Sequence, residues 1–307
     1  MKAARFLLVA LAVCAASGFL SAQAVLPPLE KDALARLAAS PRHGEWVRYD
    51  AGGGDQVSAW VVYPERADKA PVVVLIHEIF GLTDWARAVA DHYAAEGFIA
   101  IAPDFLSGKA PDGKGGSAEL GVEASRAAIA KLDPAEILRR LDGAARYGTA
   151  LPAAAKTYGT VGFCWGGGIA FSWATRQPAL GAAVVYYGTS PATASLAAVK
   201  APVLGLYGGA DARVNATVPA AKAELDRLGL RFEVNTYDGA GHAFLRQQDG
   251  QNGANLKASQ AAWPRSVQFL RSALETSRAD SGVSAASALA ATDDDCGDEC
   301  MVVSLAP

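Results

Sequence analysis

Short apolar runs separated by turn-forming residues recur along the chain. Val57–Tyr63 alternates apolar and polar positions, as a strand with one covered face does. Val72–Ile76 and Phe98–Ala102 are continuous apolar runs of the length expected for strands buried on both faces. Thr160–Phe163, Ala182–Tyr187, Val203–Tyr207 and Phe232–Tyr237 continue the series. Between these runs the period becomes helical. Residues 83–96 place Trp85, Val89, Ala90 and Tyr93 on one side, and Ile137, Leu138, Leu141, Ala144 and Ala145 trace one face of another helix. That helix carries its own start signal, with Asp133 to cap, Pro134 at the first position and Glu136 three residues after the cap. Residues 165–177, stopped by Pro178, and the segments 216–229 and 255–276 supply the remaining helices. Strands alternating with helices predict an α/β fold whose mostly parallel central sheet has helices on both faces. The opening strands near residues 45–63 are expected to be antiparallel edge strands. Leu106–Gly121, rich in Gly, Lys, Asp and Pro, reads as a loop leading into a helix.

The two ends depart from this pattern. Residues 1–24 have the organisation of a secretory signal: Lys2 and Arg5, an apolar stretch from Phe6 to Leu20, then the small-x-small triplet Ala22-Gln23-Ala24. The stretch is short for a membrane span. A bulky Val13 before Cys14 argues against a lipoprotein signal. The expectation is cleavage after Ala24 and export to the periplasm or beyond, leaving no membrane span. Residues 25–44 form a lead-in, residues 45–276 one domain, and residues 277–307 an Ala/Ser/Asp-rich tail expected to be mobile. The tail holds Cys296 and Cys300. Two cysteines lack a full set of metal ligands, so a solvated tail or a small disulfide loop is the simpler reading.

Composition narrows the function classes. With 51% hydrophobic and 19% charged residues among 307, the chain has ample apolar material for a core, which excludes intrinsic disorder. Its 31 glycines follow no Gly-X-Y period, which excludes a collagen-like chain. A net charge of −3, from 28 basic and 31 acidic residues, gives no electrostatic case for a nucleic-acid partner.

The strongest chemical signal is Gly162-Phe163-Cys164-Trp165-Gly166, with a strand before it and the glycine-rich start of a helix after it. This is a nucleophile elbow with sulfur in place of oxygen. A sharp strand-to-helix turn strains the backbone and points the nucleophile outward, and flanking glycines avoid collisions with the neighbouring strand and helix. The helix N-terminus favours a thiolate, and the amide of Trp165 is placed to donate to a developing oxyanion. An elbow of this type needs an acid and then a histidine after later strands. Asp211 follows the run Val203–Tyr207, and His242 follows Phe232–Tyr237. Asp211 also suits a helix cap, and Asp238 is a rival acid that reads as a turn residue. The other histidines fit less well: His43 precedes the core, His92 falls within a helix pattern, and His77 ends a central strand. A lone Cys164 without a CxxC partner does not suit a thiol redox protein.

At this point the chain resembles the dienelactone hydrolase family of α/β-hydrolases over most of residues 45–275. The resemblance is carried by His77-Glu78-Ile79-Phe80-Gly81, Ala102-Pro103-Asp104, Gly162-Phe163-Cys164-Trp165-Gly166-Gly167, Tyr186-Tyr187-Gly188, Gly208-Gly209-Ala210-Asp211 and Gly241-His242-Ala243-Phe244. It implies an α/β-hydrolase fold and a Cys164–His242–Asp211 triad. It further implies that Glu78 takes the thiol proton, that the Ile79 amide is a second oxyanion donor, and that Tyr187 and Arg246 meet the substrate, Arg246 through a carboxylate. The family's other carboxylate-binding arginine falls at Gly108 here, with Lys109 adjacent, and a lysine supplies charge without the bidentate fork of an arginine.

The expected activity is therefore hydrolysis of a small carboxylic ester or lactone through a thioacyl-enzyme, with no cofactor and no metal. The alternative is a non-catalytic binding or scaffold protein that kept the hydrolase fold, for which a broken triad would be expected.

Overall fold

A computed structural model describes residues 25–290, with side chains described as far as Glu275. Residues 1–24, where the signal is expected, and the tail cysteines Cys296 and Cys300 lie outside the described residues.

Eight strands make one sheet: β1 (Gly44–Asp50), β2 (Gln56–Val62), β3 (Ala70–Ile76), β4 (Ile99–Pro103), β5 (Ala154–Phe163), β6 (Ala183–Tyr186), β7 (Val203–Gly208) and β8 (Phe232–Tyr237). Their spatial order is β1-β2-β4-β3-β5-β6-β7-β8. β1 and β2 pair antiparallel, β2 also pairs antiparallel with β4, and every other pairing is parallel. The antiparallel edge expected near residues 45–63 is therefore present, and so is the parallel centre.

The continuous apolar run of β3 has a simple cause, because alternate side chains serve different cores. Val72, Val74 and Ile76 belong to one core, built with Leu141 and Ala144 of α4 (Pro134–Ala150), Trp173 of α5 (Trp165–Ala174) and Leu225 of α7 (Val218–Arg227). Val73 and Leu75 belong to the other, built with Trp85, Val89 and Tyr93 of α2 (Asp84–Ala95) and with Trp263 and Leu270 of α8 (Ala254–Ala290). Burial of each such side chain is worth roughly 1.5–3 kcal/mol, and a polar residue is accommodated only where it finds a partner, as Thr160 of β5 does by donating to the Val74 carbonyl.

The start of α4 follows the sequence signal, since the Asp133 side chain accepts from the Ala135 amide and Pro134 opens the helix. Four boundaries differ from expectation. The helix expected over 216–229 is two pieces, α6 (Ala212–Asn215) and α7, separated where Thr217 turns its hydroxyl to the Val214 carbonyl and Pro219 lacks an amide to continue the ladder. β5 begins at Ala154, six residues before its apolar run, because Ala-Ala-Lys-Thr carries no strand signature. The loop from Leu106 ends early, at α3 (Ser117–Ile129), which Ser117 anchors by bonding to Asp104 and to the Leu82 amide. The last helix runs to Ala290, past the change of composition at Ser277.

Candidate active site

Every residue singled out in the elbow, the acid turn and the histidine turn stands at the C-terminal edge of the parallel strands. There the loops leave the sheet, and polar groups can gather without breaking the ladders. Cys164 links β5 to α5 with φ 57° and ψ −117°, a left-handed conformation that a non-glycine residue holds at a cost of roughly 1–3 kcal/mol. The elbow is clamped by the Cys164 amide donating to the Tyr186 carbonyl at 3.1 Å, and by the Gly167 amide donating to the Cys164 carbonyl at 3.1 Å. The glycine requirement is steric. A Cβ at Gly162 would run into the Gly166 backbone, one at Gly166 into the carbonyls of Ile76 and His77, and one at Gly167 would lie 2.6 Å from the Tyr186 carbonyl oxygen.

Cys164 is half-buried and free. Burial and the nearby Glu78 carboxylate push its thiol up to about 11. The amides of Trp165 and Ile79 face the sulfur and, with the Arg213 guanidinium, act the other way. At neutral pH the resting group is therefore a thiol that needs a base. The two amides expected as oxyanion donors do converge on one point, although they come from the separate loops after β5 and β3.

His242 and Asp211 meet across the ends of β8 and β7. Nδ1 of His242 lies 2.6 Å from Oδ2 of Asp211. The other carboxylate oxygen accepts from the Val214 amide at 3.4 Å, so Asp211 both orients the imidazole and caps α6. Nε2 of His242 is buried and makes no hydrogen bond, to the Cys164 sulfur or to any other described group. Asp238, the rival acid, is exposed in the turn after β8. Of the other histidines, His77 is fully buried, its Nδ1 2.7 Å from the Glu78 carbonyl and its Nε2 accepting from the Phe105 amide, and it stacks on Trp165. It braces the loop that presents Glu78 and Ile79. His92 bonds within α2, and His43 is exposed.

Glu78 is 4% exposed. Its Oε2 stands 2.7 Å from Nε of Arg246, while Oε1 has no partner. Burial pushes its carboxyl up to about 7, with Arg246 pulling down and the Glu30 carboxylate pushing up. Arg246 is itself largely buried, pairs with Glu30 as well as Glu78, and lies 5.0 Å over the Phe80 ring.

A cavity of about 390 Å³ opens over the sulfur, lined by Ile79, Cys164, Trp165, Tyr187, Thr189, Ser190 and Arg213, among others. Tyr187 is buried, its hydroxyl unpartnered and its ring 5.2 Å from that of His242. Two expected substrate-binding residues are placed otherwise. Lys109 pairs with Glu136 at 2.8 Å and lines a separate cavity with Arg48 and Asp55. Arg246 carries two carboxylates already. Sequence reasoning missed Arg213, which lines the cavity over Cys164 and has no ion-pair partner among the described residues. Its signal was available, since it stands two residues after the acid of the Gly208-Gly209-Ala210-Asp211 motif and must share that edge of the sheet. A larger cavity, about 780 Å³, lies under Trp46, Phe80 and Val122 and does not include Cys164. Among the described residues no cluster of His, Cys, Asp or Glu is suited to hold a metal ion, and no helix is long and apolar enough to cross a membrane.

Comparison with known proteins identifies the family. The family model described as the dienelactone hydrolase family matches residues 57–274. A Salmonella typhimurium protein provisionally assigned as a carboxymethylenebutenolidase is 32% identical over 230 residues, covering 70% of this chain and 83% of its own. A Saccharolobus solfataricus protein with the same provisional assignment is 28% identical over 255 residues, covering 73% and 97%. The crystal structure of a Klebsiella pneumoniae protein, provisionally assigned as a dienelactone hydrolase, superposes with a TM-score of 0.64 at 27% identity, over 74% of this chain and 98% of that one. The chain has the α/β-hydrolase fold and belongs to the dienelactone hydrolase family.

Proposed function

We propose that the protein is an exported hydrolase that cleaves a small carboxylic ester or lactone through a thioacyl-enzyme on Cys164. The observation that carries this reading is the Cys164 sulfur on a strained elbow, faced by the amides of Trp165 and Ile79. Those donors are worth roughly 3–4 kcal/mol each once charge develops on a substrate oxygen.

The thiol proton passes to Glu78, and the thiolate attacks the ester carbonyl. The alkoxide leaves with a proton from the His242 imidazolium, which Asp211 orients and stabilises. His242 then takes a proton from water, whose hydroxide attacks the thioester. The sulfur leaves as thiolate and recovers its proton from Glu78, releasing the acid. Each proton returns to its starting group, and no cofactor or metal takes part. Tyr187 and Arg213 border the space the substrate would occupy. Export rests on the leader alone.

The test is Cys164→Ala assayed on an activated aryl ester. The expected loss is about ten-thousandfold or more, because removing a covalent nucleophile leaves only binding and the oxyanion donors. Retention of the full rate would overturn the assignment and favour a scaffold role.

A further inference from the structure

We propose that Glu30, in the lead-in segment, is a positioning residue of this site: it holds the Arg246 guanidinium in a shared grip with Glu78 and so governs how firmly that buried carboxylate is held beside the sulfur. The proposal rests on the reading above, in which Glu78 receives the thiol proton.

Glu30 lies outside residues 57–274, the part matched by the family model. The segment around it is nonetheless docked on the loop that bears His242 and Arg246. The Pro27 carbonyl accepts from Nε2 of Gln248 at 2.8 Å, and the Pro28 carbonyl accepts from Nε1 of Trp85 at 3.1 Å, both in buried settings. Ala33, at the start of α1 (Ala33–Ala38), is fully buried in the core shared by α2 and α8. From this strap the Glu30 carboxylate reaches NH1 of Arg246, while Nε of the same guanidinium lies 2.7 Å from Glu78 as an ion pair without a hydrogen bond, and its Cζ lies over the Phe80 ring. A planar fork with one carboxylate on each of two edges and an aromatic ring against it has little freedom to rotate.

The charge consequence follows. One guanidinium serves two carboxylates, so Glu78 receives only part of its stabilisation. The charged and titratable groups that face Glu78 are Arg246 from the loop after β8, Glu30 from the strap, Cys164 from the elbow and Tyr187 from the end of β6. Of these, Glu30 alone is more than half exposed, and an exposed ion pair contributes little to folding. Its removal should therefore change the chemistry of Glu78 without unfolding the site. With Glu30 neutral, Arg246 remains against Phe80 and gives its whole charge to Glu78, which then ionises more readily and becomes a weaker base.

The experiment compares the full chain with Glu30→Gln, Glu30→Asp and Lys31→Ala, the last removing the exposed Lys31–Asp249 contact of the same strap. Two readouts are taken from about pH 5 to about pH 9: kcat/KM on an activated aryl ester, and the rate of iodoacetamide alkylation of the Cys164 peptide. In Glu30→Gln the acid limb of both profiles should move to lower pH by about half a unit and the plateau should fall severalfold. Glu30→Asp should restore most of the shift, Lys31→Ala should leave both profiles in place, and thermal melting should be unchanged throughout. Profiles of Glu30→Gln that stay in place or move to higher pH, in an active enzyme, overturn the role of Glu30 and leave the hydrolase reading standing. A shift seen in alkylation with no thiol-dependent ester hydrolysis in the parent chain supports the role of Glu30 and overturns the hydrolase reading.

Discussion

Two carboxylates flank the proposed reaction centre, and they show how one functional group is given two different tasks. Asp211 and Glu78 both follow parallel strands, and both are nearly buried, at 8% and 4% exposure. Asp211 has a donor for each oxygen, the His242 ring and the Val214 amide. Glu78 has a cation beside one oxygen, nothing on the other, and a carboxyl pushed up to about 7 by burial. A donor on each oxygen suits a carboxylate whose task is to orient an imidazole. Incomplete pairing with desolvation suits a group that takes up and returns a proton near neutral pH. The distinction lies in the donors each loop supplies, since the side chains differ by a single methylene.

The largest expected effect breaks the Asp211 side of the comparison. Asp211→Asn keeps the shape but favours the wrong imidazole tautomer, and kcat should fall about 10³–10⁴-fold with the fold intact by thermal melting. A loss under tenfold would mean that Asp211 serves only as the cap of α6. The Glu78 side should give a smaller and differently shaped effect. Glu78→Gln should lower kcat/KM by about 10²-fold and abolish the acid limb near neutral pH, the range of effect expected of a positioned base.

The same substitution has a stability signature of definite sign. Glu78 has its folded value raised from 4.5 to about 7. As the pH climbs through that interval the unfolded chain releases this proton first, so the folded state binds more protons and loses stability with rising pH. The difference amounts to about 3 kcal/mol across the window. Melting curves of the parent chain and Glu78→Gln should accordingly diverge between about pH 5 and about pH 8, the variant becoming relatively more stable. Parallel curves for Glu78→Gln would show that its carboxyl is not held protonated by burial.

What the sequence disclosed follows from the range over which each cause acts. Apolar runs and the Asp133–Pro134 cap are local, and the strands and α4 were legible from them. The elbow, Asp211 and His242 were legible because each closes a strand that has its own apolar signature. The fates of Arg246 and Lys109 were not. The partner that occupies Arg246 is Glu30, 216 residues away in sequence, and the partner that draws off Lys109 is Glu136, 27 residues on in another element. Neighbouring residues hold no signal of such pairings, so a motif identifies a charged side chain without saying whether its charge is free. The split between α6 and α7 was within reach, since Pro219 stood in the text, but the apolar period across it reads as one helix.

The smallest predicted effect turns on the contrast between the two arginines near the sulfur. Arg246 already neutralises carboxylates on two sides, whereas Arg213 borders the Cys164 cavity, is exposed, and has no ion-pair partner among the described residues. A negatively charged substrate would gain more from the second, because meeting the first requires displacing a buried ion pair. Arg213→Ala should therefore raise KM for an ester bearing a carboxylate by about tenfold or less, leaving a neutral ester of similar size nearly unaffected, as an exposed charge pair is worth about 1 kcal/mol. Arg246→Ala should act on both esters alike and through pH. Without its cation the Glu78 carboxyl rises further, so the acid limb of kcat/KM should move upward, opposite in sign to the shift expected for Glu30→Gln. Were Arg246→Ala instead to discriminate between the two esters with the limb unmoved, its guanidinium would be the substrate's partner, and the assignment of the two arginines would have to be exchanged.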